Sequence, residues 1–149
     1  MSAEDNKALV RRQFEAIWNG GNLNVIDELY APNYTNHDPA NPDQAPGPAG
    51  FIQRVSLYRT ALPDLHLTID DQVAEGDRVV TRWTGSGTHR GDFLGIPPTG
   101  RSVSVTGMLI SRIEGGKFVE EWVNWDTLGL LQQVGAVPAP AQVAVAAAR

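Results

Sequence analysis

Apolar residues in the first part of the chain recur every three or four positions, the spacing of helices that pack on a core. This pattern predicts three helices, over residues 2–19, 22–31 and 48–62, each followed by glycine or proline. Between the second and third helices, residues 32–48 are rich in proline, asparagine and aspartate. We predict a long loop there.

From residue 65 the apolar spacing changes to every second position, which is the pattern of β-strands. Four antiparallel strands are predicted up to about residue 125, with tight turns at Glu75-Gly76-Asp77 and Glu114-Gly115-Gly116. A short helix follows at residues 127–134. Helices followed by strands indicate an α+β fold, with the three N-terminal helices on one face of a curved antiparallel sheet.

Length and composition fit a single folded domain. The chain has 149 residues, of which 42% are hydrophobic, enough for one core. We place the domain at residues 1–135. Residues 136–149 are rich in alanine and proline and have no amphipathic pattern, so we predict a flexible tail there.

Charge and residue usage exclude several classes of function. The net charge is −5 without any basic cluster, which argues against nucleic-acid binding. The chain has no cysteine, and its three histidines lie far apart, so no metal and no other cofactor is predicted. No apolar stretch is long enough for a membrane span, and the N-terminus is too polar for a signal peptide. We therefore expect a soluble cytoplasmic protein with no membrane partner.

The inner face of a curved sheet packed on helices is a natural small-molecule pocket. On the last strand Trp122, Asn124 and Asp126 share one face, and one interpretation places them in this pocket. A carboxylate among tryptophans would be desolvated, its pKa would rise, and it could act as a general base. Aspartate is also a preferred N-cap residue. By residue type alone, capping of the helix that begins at residue 127 is therefore about as well supported as a catalytic role.

Two histidines and two aromatic residues complete the set of candidates. His89, at the end of the second strand, could donate to a substrate carbonyl, although residue type alone favours an exposed position. His37 lies in the predicted loop and could close over a pocket mouth, or it could be an ordinary turn residue. Tyr34 and Trp83 are candidates for shaping the pocket.

Several stretches in order resemble the SnoaL-like polyketide cyclases and ester cyclases. They include residues 14–34, FEAIWNGGNLNVIDELYAPNY, residues 88–91, THRG, residues 95–100, GIPPTG, and residues 115–135, GGKFVEEWVNWDTLGLLQQVG. The resemblance implies the cone-shaped fold of nuclear-transport-factor-2-like proteins and a homodimer through the open sheet face. Family cyclases close a ring by intramolecular aldol condensation without metal or cofactor. Asp126 matches the family's catalytic aspartate, and His89 and His37 match pocket positions.

The sequence thus supports two hypotheses of different kinds. The first is a cofactor-independent cyclase or isomerase in which Asp126 removes a proton next to a carbonyl of a small hydrophobic, polyketide-like ligand. The alternative is a non-catalytic ligand-binding or dimeric interaction domain of the same fold. Epoxide or hydrate chemistry on this fold is a weaker third possibility.

Overall fold

The computed structural model describes residues 2–139 and has the predicted α+β architecture. Residues 140–149, most of the predicted tail, lie outside the described residues. The elements are α1 (Ala3–Arg12), a π-helical segment (Gln13–Asn19), a 3-10 turn (Leu23–Val25), α2 (Ile26–Leu29), β1 (Tyr30–His37), α3 (Gly47–Ala61), β2 (His66–Glu75), β3 (Arg78–Thr88), β4 (Ser102–Glu114), β5 (Lys117–Trp125) and α4 (Thr127–Gln133).

The sheet has five strands in the order β1-β5-β4-β3-β2. The four predicted strands form antiparallel pairs, as expected, but β1 joins the sheet parallel to β5. The prediction of a loop throughout residues 32–48 is therefore wrong for its first part. Asparagine and proline suit loops, yet Tyr30 and Tyr34 on this segment are completely buried, and their burial outweighs the weak local preference.

The second predicted helix is also shorter than expected. Only the 3-10 turn and the four residues of α2 are helical, and Tyr30 begins β1 instead of ending a helix. Asn22 caps the turn by accepting a hydrogen bond from the backbone N–H of Asn24. The chain therefore turns directly from α2 into the sheet, which places Tyr30 against Phe51 of α3 with ring centroids 4.4 Å apart.

The helices pack against one face of the sheet, and Trp83 of β3 lies on that inner face. Trp83 is opposite Gly107 of β4, and a Cβ atom added at Gly107 would lie 2.3 Å from its ring. The neighbouring Gly85 leaves a similar space, because its added Cβ would be 3.2 Å from the same ring. Two glycines thus let a large indole lie flat on the strands. Within the described residues, no helix is long and apolar enough to cross a membrane.

We predict that Gly107→Ala destabilises the protein by about 1–3 kcal/mol, because the new methyl group overlaps the Trp83 ring in a packed wall. Ser86→Ala, an exposed position on β3, is the matched control and should change the free energy of unfolding by less than about 0.5 kcal/mol. Urea denaturation of both variants measures the difference. Equal stability of the two variants would contradict the packing described for Trp83.

Candidate active site

A pocket lies between the inner face of the sheet and the helices. The space between its lining atoms is about 700 Å³ when the solvent at its opening is included. Most of the lining is apolar or aromatic, and it includes Phe14, Trp18, Phe51, Trp83, Val123 and Trp125. The polar side chains in the lining are those of Gln13, Arg54, Tyr58 and Glu121. An apolar cavity with a few polar groups is the usual form of a binding site for a small organic molecule.

The π-helical segment supplies three of these lining residues. Gln13, Phe14 and Trp18 all face the pocket from Gln13–Asn19. A π-turn is wider than an α-turn and brings residues five positions apart onto one side, as Gln13 and Trp18 are here. The irregular helix therefore turns both an amide and an indole towards the same space.

A buried carboxylate, that of Glu121 on β5, lies in the pocket wall and is only 1% exposed. Its Oε1 accepts hydrogen bonds from Gln13 Nε2 at 2.9 Å and from the Tyr34 hydroxyl at 2.8 Å. Its Oε2 accepts from Ser111 Oγ at 2.6 Å. Burial raises the pKa of Glu121, although these three donors and the charge of Arg54 oppose the rise.

A buried cation faces the same space. Arg54 on α3 donates from Nη2 and Nε to Asp38 Oδ2, at 3.1 and 3.3 Å. The Tyr58 hydroxyl donates to the same carboxylate oxygen at 3.0 Å, and burial raises the pKa of Tyr58. The guanidinium carbon lies 5.2 Å from the ring centroids of both Trp18 and Tyr58. Its charge is therefore neutralised by Asp38 and its faces are covered by aromatic rings.

Asp126, the acid/base candidate from the sequence, does not line the pocket. It is exposed, and its Oδ1 accepts the backbone N–H of Gly129 at 2.8 Å as the N-cap of α4. Its neighbours Trp125 and Leu130 do line the pocket, so Asp126 is close to the pocket wall. The capping role is confirmed, whereas the catalytic role stays a prediction.

The structure places Trp122 and Asn124 on the outer face of the sheet, away from the pocket. Strand β5 alternates, and Glu121, Val123 and Trp125 are the residues that face inwards. Both faces of this strand carry polar and aromatic residues, so the sequence pattern did not distinguish them. His37 is also on the outer face, where its ring stacks on Trp122 at 5.4 Å and its Nε2 lies 2.8 Å from Glu120 Oε2.

The remaining predicted site residues have different positions. Trp83 lines the pocket, as expected for a residue that shapes it. Tyr34 lies behind the lining, where it donates to Glu121. His89 is 2% exposed, contrary to the expected surface position, and is not part of the pocket lining. It holds the loop that precedes β4, because its Nδ1 lies 3.0 Å from Thr99 Oγ1.

Sequence reasoning missed Glu121, Gln13 and Arg54 as pocket residues. For Glu121 no clear signal was present, because Glu120 and Glu121 put a carboxylate on each face of β5. For Gln13 and Arg54 there was no signal either, because long polar side chains on amphipathic helices usually face water. Within residues 2–139, no group of three or more histidine, aspartate or glutamate side chains could hold a metal ion.

Comparison with known proteins identifies the family. The model of the SnoaL-like polyketide cyclases matches residues 8–134. The chain belongs to this family. It is an enzyme of the polyketide cyclase type, and the match agrees with the cone-shaped α+β fold expected from the sequence.

Three related proteins support the assignment to the SnoaL-like family. The aklanonic acid methyl ester cyclase DnrD of Streptomyces peucetius is 31% identical over 134 residues, which cover 85% of this chain and 88% of the relative. The nogalonic acid methyl ester cyclase of Streptomyces nogalater is 29% identical over 79% of this chain and 89% of its own. The structure of TsrD from Streptomyces laurentii matches with a TM-score of 0.83 and 36% identity, over 92% of this chain and 99% of TsrD.

The pKa of Glu121 predicts a pH-dependent stability. A carboxyl whose pKa is higher in the folded than in the unfolded protein binds more protons when folded. Above its unfolded pKa, near 4.5, the free energy of unfolding therefore decreases as the pH rises. Glu121→Gln removes this dependence, so the melting temperature of the variant relative to wild type should rise between about pH 5 and pH 8.

Glu75→Gln, at an exposed position on β2, is the matched control and should follow the wild type at both pH values. Thermal denaturation of the three proteins at the two pH values provides the measurement. If the melting temperature of Glu121→Gln changed with pH by the same amount as that of the wild type, the raised pKa of Glu121 would be contradicted.

Proposed function

We propose that this protein closes a carbon ring in a polyketide-like ester by an intramolecular aldol reaction in the central pocket. The observation that carries the proposal is the pocket itself, which is lined mainly by apolar and aromatic side chains, the surroundings that suit a flat fused-ring substrate. The related cyclases act on aklanonic and nogalonic acid methyl esters by their names, which suggests the same class of ester here.

The proposed reaction needs only proton transfers and orientation. A base removes a proton from the carbon next to a carbonyl, and the resulting carbanion forms a bond to a second carbonyl carbon. The second carbonyl oxygen takes up a proton, so that substrate and product are isomers and no oxidant or cofactor is consumed. A rigid pocket accelerates such a step by holding both carbons near their attack distance.

We assign the acid/base role to Asp126, on the basis of its match to the family's aspartate. Glu121 is a second candidate carboxylate, in the pocket wall, and Asp126 follows it by five residues, just after the end of β5. At about 3.3 Å per residue they are separated by roughly 16 Å, so they cannot both act on one reacting carbon. The free side of Asp126 is exposed, and its lining neighbours Trp125 and Leu130 bring it close to the pocket.

Replacing Asp126 by asparagine separates the two roles of this residue. Asparagine caps helices as well as aspartate, so Asp126→Asn should unfold within about 1 kcal/mol of wild type. It cannot accept the proton, and we expect kcat with aklanonic acid methyl ester or nogalonic acid methyl ester to fall at least about 100-fold. Product formation is followed by liquid chromatography.

Asp126→Ala removes both the cap and the base and should lose stability and activity together. Full turnover by Asp126→Asn would exclude Asp126 as the acid/base, and a loss of turnover only in Glu121→Gln would transfer the role to Glu121. Absence of ring closure by the wild type with both esters would contradict the proposed activity on this class of substrate.

One observation favours the second candidate function, binding of a carbonyl ligand without turnover. The carboxylate of Asp126 is engaged by the N-terminus of α4, so it has a structural role that needs no catalysis. In that case the pocket would bind the methyl esters and return them unchanged. The same chromatographic assay, combined with a binding measurement, distinguishes this function from the cyclase.

We also propose that the outer face of the sheet forms a homodimer with a second copy of the chain. One row across this face pairs Val73, Val80, Ile110, Trp122 and His37 on the five successive strands. Val73 is 62% exposed and nearby Met108 is 56% exposed, so the row is apolar and uncovered in one protomer. Beside the row Arg82 and Asp70 form a partly exposed ion pair at 3.7 Å, so this face carries both signs of charge next to its apolar part.

Val80→Glu should convert this dimer to a monomer, because it introduces charge between Val73 and Ile110 within the apolar row. Leu128→Glu, on an exposed position of α4, is the matched control and should remain a dimer. Light scattering coupled to size-exclusion chromatography gives the mass of each protein. A wild-type monomer, or a dimeric Val80→Glu, would contradict this interface.

A further inference from the structure

We propose that Arg54 and Gln13 form a binding subsite in the pocket wall for a carbonyl group with a hydroxyl or amide N–H beside it. The inference rests on the proposed function only in taking the central pocket as the substrate site. The subsite is separate from Asp126 and would bind the part of a fused aromatic ligand that is remote from the reacting carbon.

The donor of the subsite is Arg54. Its side chain is 8% exposed and lines the pocket. Nε and Nη2 are both used by Asp38 Oδ2, which leaves Nη1 to donate to a group in the pocket. The rings of Trp18 and Tyr58 and the carboxylate of Asp38 hold the guanidinium in place, so binding a carbonyl oxygen there requires little ordering of the side chain.

The acceptor of the subsite is Gln13. The residue is 1% exposed, lines the pocket, and has its Oε1 buried without a hydrogen-bond partner. Its Nε2 contacts both Tyr30 and Glu121. Glu121 Oε1 also accepts from the Tyr34 hydroxyl, so it acts as the acceptor for Gln13, with Nε2 towards β5 and Oε1 away from it. A buried carbonyl without a donor is costly, and a ligand O–H or N–H would satisfy it.

Together these two atoms define the chemistry of the ligand. Arg54 offers a donor and Gln13 offers an acceptor, and both line a pocket that also contains Trp18 and Phe14. They lie near each other, since the charge of Arg54 lowers the pKa of Glu121 and Gln13 Nε2 is 2.9 Å from Glu121 Oε1. The complementary group has an acceptor and a donor on neighbouring atoms, at the edge of a flat aromatic system. Phenols beside a ketone, enolised 1,3-dicarbonyls and carboxamides all have this arrangement.

Three naphthalenes of nearly the same shape test the subsite. 2-Naphthamide presents acceptor and donor, 2-acetonaphthone presents the acceptor only, and 2-isopropylnaphthalene presents neither. Equilibrium dialysis gives their dissociation constants for wild type, Gln13→Met and Arg54→Lys. For each ligand, the dissociation constant for a variant is divided by that for the wild type, so that differences in hydrophobicity between the ligands cancel.

We expect Gln13→Met to weaken 2-naphthamide roughly ten-fold and the other two ligands less than about two-fold. Arg54→Lys should weaken both carbonyl ligands and leave 2-isopropylnaphthalene unchanged. Ser111→Ala is the matched control, since it removes a different donor from Glu121 and should leave all three constants unchanged.

Several results would overturn the subsite. These are no binding of 2-naphthamide to the wild type, equal weakening of all three ligands by Gln13→Met, or an effect of Ser111→Ala equal to that of Gln13→Met. Circular dichroism of each variant identifies a loss of fold, and in that case Gln13→Asn replaces Gln13→Met and must weaken 2-naphthamide alone. Equilibrium dialysis measures binding and does not depend on turnover. A failure of the subsite proposal can therefore be distinguished from a failure of the ring-closure assay.

Discussion

The burial of the Glu121 carboxylate is the constraint on which the rest of the structure depends. A carboxylate removed from water must be given hydrogen-bond donors, or its burial costs several kcal/mol. The donors come from three other elements, namely Gln13 of the π-helical segment, Tyr34 of β1 and Ser111 of β4. The network therefore joins the N-terminal helices and both neighbours of β5, and the pocket opens beside it.

The second buried charge, that of Arg54, is also compensated by buried partners. Asp38 accepts hydrogen bonds from both Arg54 and the Tyr58 hydroxyl, while the rings of Trp18 and Tyr58 cover the faces of the guanidinium. The ion pair stays intact and the guanidinium still borders the cavity. An otherwise aromatic wall thus keeps polar atoms at defined positions, which is what an enzyme needs to orient an apolar ligand with a few oxygens.

The order of helices and strands could be predicted from apolar periodicity because most elements have one clearly buried face. Strand β1 could not be predicted in this way, because it pairs with β5, which is distant in the sequence. In addition, the residues of β1 themselves favour turns. For the site, the structure places Trp83 in the pocket lining, whereas Trp122 and Asn124 lie on the other face of β5. Alternation alone does not tell which face is inner when both contain tryptophan and glutamate, and only the packing of Glu121 against Gln13 decides it.

The position of β5 between β1 and β4 has a consequence for the order of folding. Glu121 and Gln13 are 108 residues apart in the sequence, and β1 has no partner strand until β5 is made. Closing so long a loop is slow compared with forming the local hairpins of β2, β3 and β4. On the ribosome the antiparallel sheet can thus form first, while the N-terminal segment waits for the last strand. Ligand-binding capacity would then be acquired in a single late step, when the two ends of the domain meet.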